Sequence, residues 1–298
     1  MGGVLLLDKP AGLTSTRALA KARRLLGEKK GGHTGTLDPF ATGLLPLAFG
    51  EATRFSRFLI DARKGYRATL CLGRTSTTGD PEGLLSDPTP VTSTDRQIAD
   101  VLGMFVGVQQ QIPPMYSALH HQGRRLYELA REGIEVERAP RTIEIFGIEL
   151  VDKSGEKLVI SVNCSKGTYV RTLAQDIGVR LGCGAYLMGL HRTEVGPFHV
   201  DAAVSLEALE AAGTRAVERL LAPEVLVEGL PRRILSPAEA AAIVHGQSIA
   251  AEGAVPGETA LFSAGGRFLG VGLADGAGRL TPVRLLVARE GADGPDFA

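Results

Sequence analysis

Residues 31–43, GGHTGTLDPFATG, constrain the chain most. Four glycines, three threonines and a proline read as a loop, and they let backbone amides and hydroxyls approach a ligand closely. Apolar runs short enough to be buried strands flank this loop, at 3–8, ending in Lys9-Pro10, and at 44–49. Between the first run and the loop, Ser15 or Thr16 is placed to cap a helix through about Leu26.

Downstream, Ala52, Phe55, Phe58 and Leu59 give residues 51–59 helical spacing, and 66–72 alternate as a strand should. A Thr/Ser/Asp/Pro/Gly loop at 75–93 leads to a capping pattern, Thr94 to Gln97, ahead of a helix at 98–106. The segment QQQIPPMYSA at 109–118 precedes a basic amphipathic stretch, 124–131. Strands are expected at 142–151 and 158–163. A helix at 168–181 carries the stripe Val170, Leu173, Ala174, Ile177 and Leu181, stops at Gly182 and Gly184, and is followed by a strand to about Val195. Beyond Pro223 the texture changes to a helix at 237–245 and strands near 258–262, 268–273 and 281–286. That pattern describes a small β-rich unit joined after Leu230-Pro231.

The net charge is zero, but it is unevenly spread. Residues 1–74 hold 13 Lys/Arg against 5 Asp/Glu, a surplus of 8, which the other residues balance with 28 acids against 20 bases. Arg17, Lys21, Arg23, Arg24, Lys29 and Lys30, with Arg63, Lys64 and Arg67 around Tyr66, form the basic end where a polyanion would dock. A solvated helix face is the ordinary alternative. The three cysteines, Cys71, Cys164 and Cys183, form no CxxC pair or Cys/His cluster, so neither a disulfide framework nor a zinc site is supported. No basic leader opens the chain and no apolar stretch approaches spanning length. A cytoplasmic protein with no membrane association is the expectation.

Asp38, followed by Pro39, has two local readings. It is either a turn residue, since Asp-Pro commonly starts turns, or a carboxylate presented by a rigid loop as a nucleophile. Phosphate binding by the glycines is a third use of the loop, but the GxxxxGK[ST] spacing is missing. His33 and Asp38 lack the neighbours of a metal hydrolase, and a hydrogen-bonded loop histidine is the plain reading of His33.

Several separate segments resemble the TruB-type tRNA pseudouridine-55 synthases of bacteria: GGVLLLDKPAGLTS, GHTGTLDPFATGLLPLAFGEATRF, KGYRATLCLG, QQIPPMYSALHHQGRRLYELAREGIEV, CSKGTYVRTLAQDIG and GCGAYLMGLHRTEVGPF. The resemblance implies an α+β chain. A mixed-sheet catalytic domain would span 1–230, with an RNA-gripping insertion at about 109–138, and a small β-rich PUA-like domain would span 231–298. It implies isomerisation of uridine to pseudouridine in the T loop of tRNA, without cofactor or metal, with the T-stem-loop as partner and no obligate protein partner. A non-catalytic tRNA-folding module of the same fold is the competing reading.

The resemblance further implies a role for each matched residue. Asp38 is the nucleophile, attacking either the uracil ring or the sugar. Arg171 pairs with it and keeps it ionised, since a nearby opposite charge lowers a carboxylate pKa. The target base must be flipped out of a folded loop, so Tyr66 stacks on it and takes part in proton transfer. Tyr169 contacts the base, Leu190 walls it in, and His33 occupies the place the flipped nucleotides vacate. The C-terminal unit adds an RNA surface through Arg232, Arg233, Arg267, Arg279, Arg284 and Arg289.

Two positions depart from the pattern. His120 stands where a lysine is usual and His191 where an arginine is common, each exchanging a permanent cation for a mostly neutral group at pH 7. The electrostatic grip on RNA should be weaker at both points. His120→Lys should therefore steepen the fall of tRNA affinity with salt, measured by filter binding across a salt series; equal slopes for the two proteins would refute this.

Overall fold

The computed structural model describes residues 2–251 and 253–286, so Arg289 and the rest of the segment after Leu286 lie outside the described residues. The main sheet has nine strands. Its central path runs Gly3–Lys9, Thr42–Phe49, Ala185–Val195, Lys64–Leu72, Lys157–Cys164, Arg141–Ser154 and Gly107–Gln111. Thr42–Phe49 and Ala185–Val195 pair in parallel and the other neighbours on the path are antiparallel, so the sheet is mixed.

The two apolar runs flanking the glycine loop are uninterrupted because both faces of their strands are covered. Leu5, Leu7, Leu45, Leu47 and Phe49 face the larger core with Ala18, Ala22, Ile98, Val170, Leu173 and Ile177 from three helices, Ser15–Leu25, Asp95–Gly103 and Val170–Arg180. The alternate residues Val4, Leu6, Leu44 and Ala48 face a second core with Phe55, Ala260, Phe262, Phe268 and Val271. The last four belong to a five-stranded sheet, Arg232–Leu235, Gly257–Ser263, Phe268–Ala274, Arg279–Leu285 and Ile249–Ala250. This small unit has its own cluster around Leu235, Ala240, Ile243, Leu261, Leu269 and Leu280, and its other face closes the back of the main sheet.

Several local expectations change. The cap of the first helix is Thr14, whose side chain accepts from the Arg17 amide; Ser15 is inside the helix and buried. The capping box Thr94 to Gln97 forms, and its helix, Asp95–Gly103, ends short of the expected 106. Residues 51–59 make a 3-10 turn, Gly50–Phe55, and a single helical turn, Arg57–Ile60, which together bury Ala52, Phe55 and Leu59. The segment after 109 begins as the edge strand Gly107–Gln111, then forms the hairpin His120–His121 and Arg124–Arg125 and the helix Leu126–Arg131. Gln122 and Gly123 at the hairpin tip both have positive φ, the geometry of a tight two-residue turn. Among the described residues, no helix is long and apolar enough to cross a membrane.

Two glycines permit contacts on which the site depends. Gly43, at φ +97, lets the loop exit run against the Arg192 backbone, where a Cβ would overlap the Arg192 carbonyl and amide. Gly178 lets the helix Val170–Arg180 lie on the start of Ala185–Val195, where a Cβ would fall on the Ala185 amide nitrogen. Alanine normally stabilises a helix interior relative to glycine by about 1 kcal/mol. Gly178→Ala should reverse that sign and destabilise by about 1–3 kcal/mol through overpacking against backbone, measured by urea denaturation.

Candidate active site

The glycine loop is tied down from three sides. The Ser15 hydroxyl donates to the Leu37 carbonyl at 3.0 Å and accepts from the Leu37 amide at 2.8 Å, so the start of the first helix holds the residue just before Asp38. Lys9, with no exposed surface, donates from Nζ to the carbonyls of Pro10 (2.9 Å), Leu13 (2.8 Å) and Pro39 (3.4 Å). Burial lowers its pKa to about 8, against the opposing pull of Asp38. Arg192, 1% exposed, donates to the Leu44 carbonyl at 2.7 Å and the Gly35 carbonyl at 3.2 Å. Asp38 also starts a turn, its carbonyl accepting from Ala41. The Asp-Pro step therefore turns the chain and leaves the Asp38 carboxylate facing a partner.

That carboxylate meets Arg171. Nε lies 2.9 Å from Asp38 Oδ2 and Nη2 donates to Oδ1 at 3.4 Å, a two-point contact. Arg171 is the second residue of its helix and is 4% exposed. Its other donors are used as well: Nη1 lies 3.4 Å from Asp80 Oδ2 and bonds the Thr78 carbonyl at 3.2 Å, and Nη2 bonds the Tyr116 carbonyl at 2.6 Å. Asp80 is in turn set by the Thr78 hydroxyl at 2.5 Å and the Glu82 amide at 3.1 Å. One guanidinium thus joins two carboxylates and two carbonyls from three other segments of chain.

The charge balance differs from expectation in one respect. Asp38 keeps 34% of its side chain exposed, yet it sits deep among protein atoms, and burial pushes its pKa above the ordinary 3.8. Arg171 pulls it down as expected, Asp80 pushes it up again, and the balance stays on the raised side. The arginine pairs with the aspartate without bringing it below the usual carboxylate range.

Tyr66 lies mid-strand in Lys64–Leu72, opposite Arg192 on one side and Val162 on the other, and is 9% exposed. Burial raises its pKa and Arg192 pulls it back; Asp38 also acts on it. Leu190, half-buried, pairs with Ala68 two residues from Tyr66 and packs on the larger core. Tyr169 caps the helix that carries Arg171 and is half-buried, with its phenol pushed up by burial and exposed to the charges of Arg171 and Asp38. The structure therefore brings Asp38, Arg171, Tyr66 and Tyr169 into one electrostatic neighbourhood, with Leu190 beside Tyr66. His33 is on the short strand Gly31–His33 against Leu47. Its Nδ1 is buried without a hydrogen-bond partner, and burial together with Arg192 lowers its pKa. No polar contact joins it to Asp38 among the described residues.

Of the two departures, His191 is structural, its Nδ1 lying 2.9 Å from the Thr42 hydroxyl at the parallel junction. His120 is exposed on the hairpin, across from Arg125. Sequence reasoning missed Asp80 and the anchoring roles of Lys9, Ser15 and Arg192. Asp80 lies among the turn-forming residues of 75–93, and its spacing from Thr78 is the one local mark of a fixed carboxylate. Among the described residues, no group of three or more His, Cys, Asp or Glu could hold a metal ion.

A family model described as TruB family pseudouridylate synthase (N terminal domain) matches residues 23–170. Two others, tRNA pseudouridylate synthase B C-terminal domain and pseudouridine synthase II TruB, C-terminal, match 171–242 and 231–286. The chain is 53% identical over 285 residues to tRNA pseudouridine synthase B of Aromatoleum aromaticum, covering 95% of this chain and 92% of that protein. It is 52% identical over 290 residues to the protein of that name in an Azoarcus species, covering 97% and 96%. Among solved structures, it aligns with a chain of an H/ACA RNP bound to a substrate RNA containing 2′-deoxyuridine at TM-score 0.74 and 26% identity, covering 97% of this chain and 86% of that one. With half of all positions shared over nearly its whole length, and family models matching from residue 23 to residue 286, the chain belongs to the TruB family of pseudouridylate synthases.

Proposed function

We propose that the chain converts uridine to pseudouridine at position 55, in the T loop of tRNA, with Asp38 as nucleophile. The observation that carries this reading is the buried guanidinium of Arg171, clamped on Asp38 and backed by Asp80. A folding module without chemistry has no use for a carboxylate that stays 34% exposed, is held at two points by a buried guanidinium, and lies within electrostatic reach of two tyrosines.

The reaction breaks the N1–C1′ bond, turns the uracil, joins C5 to C1′, then removes the hydrogen from C5 and leaves one on N1, so no atom is gained or lost. The detached base has to stay in place throughout, which a covalent link or an enclosed pocket provides. Asp38 serves addition to the ring and attack on the sugar alike. Tyr66 stacks on the flipped base and takes part in moving the C5 proton; the Arg192 cation beside it favours the charged phenolate in that step. Tyr169 contacts the base, Leu190 walls the pocket, and His33 fills the space the nucleotides leave. Residues 1–230 carry the chemistry, the insertion at about 109–138 grips the RNA, and the PUA-like unit from 231 onward adds a second RNA surface.

Two measurements test this. A T-stem-loop RNA incubated with the parent and then digested should contain pseudouridine, whereas Asp38→Asn should yield none while still binding the RNA. Product from both proteins would remove Asp38 from its role, and binding without product from the parent would favour the folding module. The second concerns pH. The nucleophile must be ionised and its pKa is raised, so the single-turnover rate should fall on acidification at a pH above that of an ordinary aspartate. Asp80→Asn removes a like charge and should move this acid limb to lower pH; an upward shift would contradict the assignment.

A further inference from the structure

The outermost strand of the main sheet, Gly107–Gln111, ends on a residue whose side chain leaves the sheet for the catalytic helix. Gln111 is 5% exposed. Its Nε2 donates to the Tyr169 carbonyl at 3.1 Å, and the Tyr169 amide donates to its Oε1 at 2.8 Å. Tyr169 is the N-cap of the helix Val170–Arg180, which receives no side-chain cap from its own N-cap residue, and the same Tyr169 carbonyl accepts the first helical bond from Leu173 at 3.0 Å. Gln111 therefore holds both polar groups of the residue at which that helix begins. Five residues further on, the Tyr116 carbonyl accepts from Arg171 Nη2 at 2.6 Å.

Residues 111–116 thus grip residues 169–171 at three points, two on the backbone and one on the guanidinium. The gripping stretch is short and contains Pro113 and Pro114, whose rings fix φ. A displacement at Gln111 would pass to the first turn of the helix, and from there to the arginine two residues along. A carboxylate-guanidinium fork is directional, so a small tilt of the first turn weakens the contact with Asp38 more than a point charge would suffer.

We infer that Gln111 is a positioning residue for the reaction: by pinning Tyr169 it sets the aim of Arg171 at Asp38, tying the base of the insertion to the nucleophile's charge partner. This rests on the roles given to Asp38 and Arg171 above. It also supplies a route by which RNA seated on the insertion is felt at Asp38, since residues 111–116 lead into that insertion and bond Arg171 through the Tyr116 carbonyl.

The test compares the full-length parent, Gln111→Met and Gln111→Glu by three readouts: single-turnover pseudouridine formation on tRNA with enzyme in excess, tRNA dissociation constant by filter binding, and pH dependence of the single-turnover rate. Methionine fills the space and makes neither hydrogen bond, so the chemical step should slow by about 10- to 100-fold, with tRNA affinity within about twofold of the parent. The acid limb should move to higher pH as the pull of Arg171 on Asp38 slackens. Glutamate keeps the acceptor for the Tyr169 amide but sets a carboxylate oxygen against the Tyr169 carbonyl in place of the donor, so it should slow the chemical step at least as much as methionine; if Gln111→Met does not fold, the glutamate variant decides by the single-turnover rate and tRNA affinity. A parental single-turnover rate in the variants, a loss confined to tRNA affinity, or slower chemistry with an unmoved acid limb would overturn the inference while leaving the nucleophile intact. A parent that makes no pseudouridine would overturn the reading beneath it as well.

Discussion

A guanidinium taken out of water has to be matched in charge and hydrogen bonds by whatever surrounds it, and in this chain that demand falls at Arg171. Four stretches distant in sequence, the Asp38 loop, the turn at Thr78 and Asp80, the segment at Tyr116 and the helix Val170–Arg180, meet because one side chain needs all of them. Removing one partner of such a buried pair typically costs about 3–5 kcal/mol, so the arrangement holds its own geometry. The second carboxylate also changes the character of the first. With burial and Asp80 opposing Arg171, Asp38 is oriented by its counter-ion but not quenched by it, and an oriented, less stabilised carboxylate is a better nucleophile than a fully paired one.

The rest of the fold keeps that centre in place. Thr42–Phe49, covered on both faces and paired with Gly3–Lys9, gives the glycine loop a rigid exit, and the small β-rich unit supplies the cover on the far side. Among the described residues, Arg192 and Lys9 are the two largest fully buried side chains. Both donate to carbonyls, Arg192 to Gly35 and Leu44, and Lys9 to Pro39 and to Pro10 and Leu13 in the turn ahead of the first helix. Buried cations that bond carbonyls leave positive potential in the pocket, where Arg192 acts on Tyr66, His33 and Lys9 together. A site with this bias suits an anionic substrate and a reaction in which negative charge develops on a base.

The parts legible in the sequence were those with strong local signals. The apolar runs at 3–8 and 44–49, the stripe of the helix at 168–181 and the capping box at Thr94 all formed, within a few residues of their expected bounds. Asp38 and Arg171 were legible only through the wider resemblance, since a loop aspartate and a helix arginine 133 residues apart carry no mark of their meeting. What stayed hidden was decided by tertiary context. Ser15 had the residue type of a cap, but Leu37 offered its hydroxyl a buried partner and Thr14 took the cap instead. Asp80 looked like any acid in a turn. The strand Gly107–Gln111 is hidden in the sequence because a polar edge strand lacks the apolar alternation that identifies one. Arg192 was hidden by the general rule that arginines lie on the surface.

The central claim, that a forked contact from Arg171 sets Asp38 for attack, is tested most directly by the single-turnover rate of Arg171→Lys on tRNA. Lysine keeps the positive charge and loses the two-point geometry. The rate of pseudouridine formation should fall by about 100-fold, the scale expected for misplacing a reacting group by an ångström, while the tRNA dissociation constant stays near that of the parent. A lysine variant as fast as the parent would show that charge alone suffices and that the fork does not set the nucleophile.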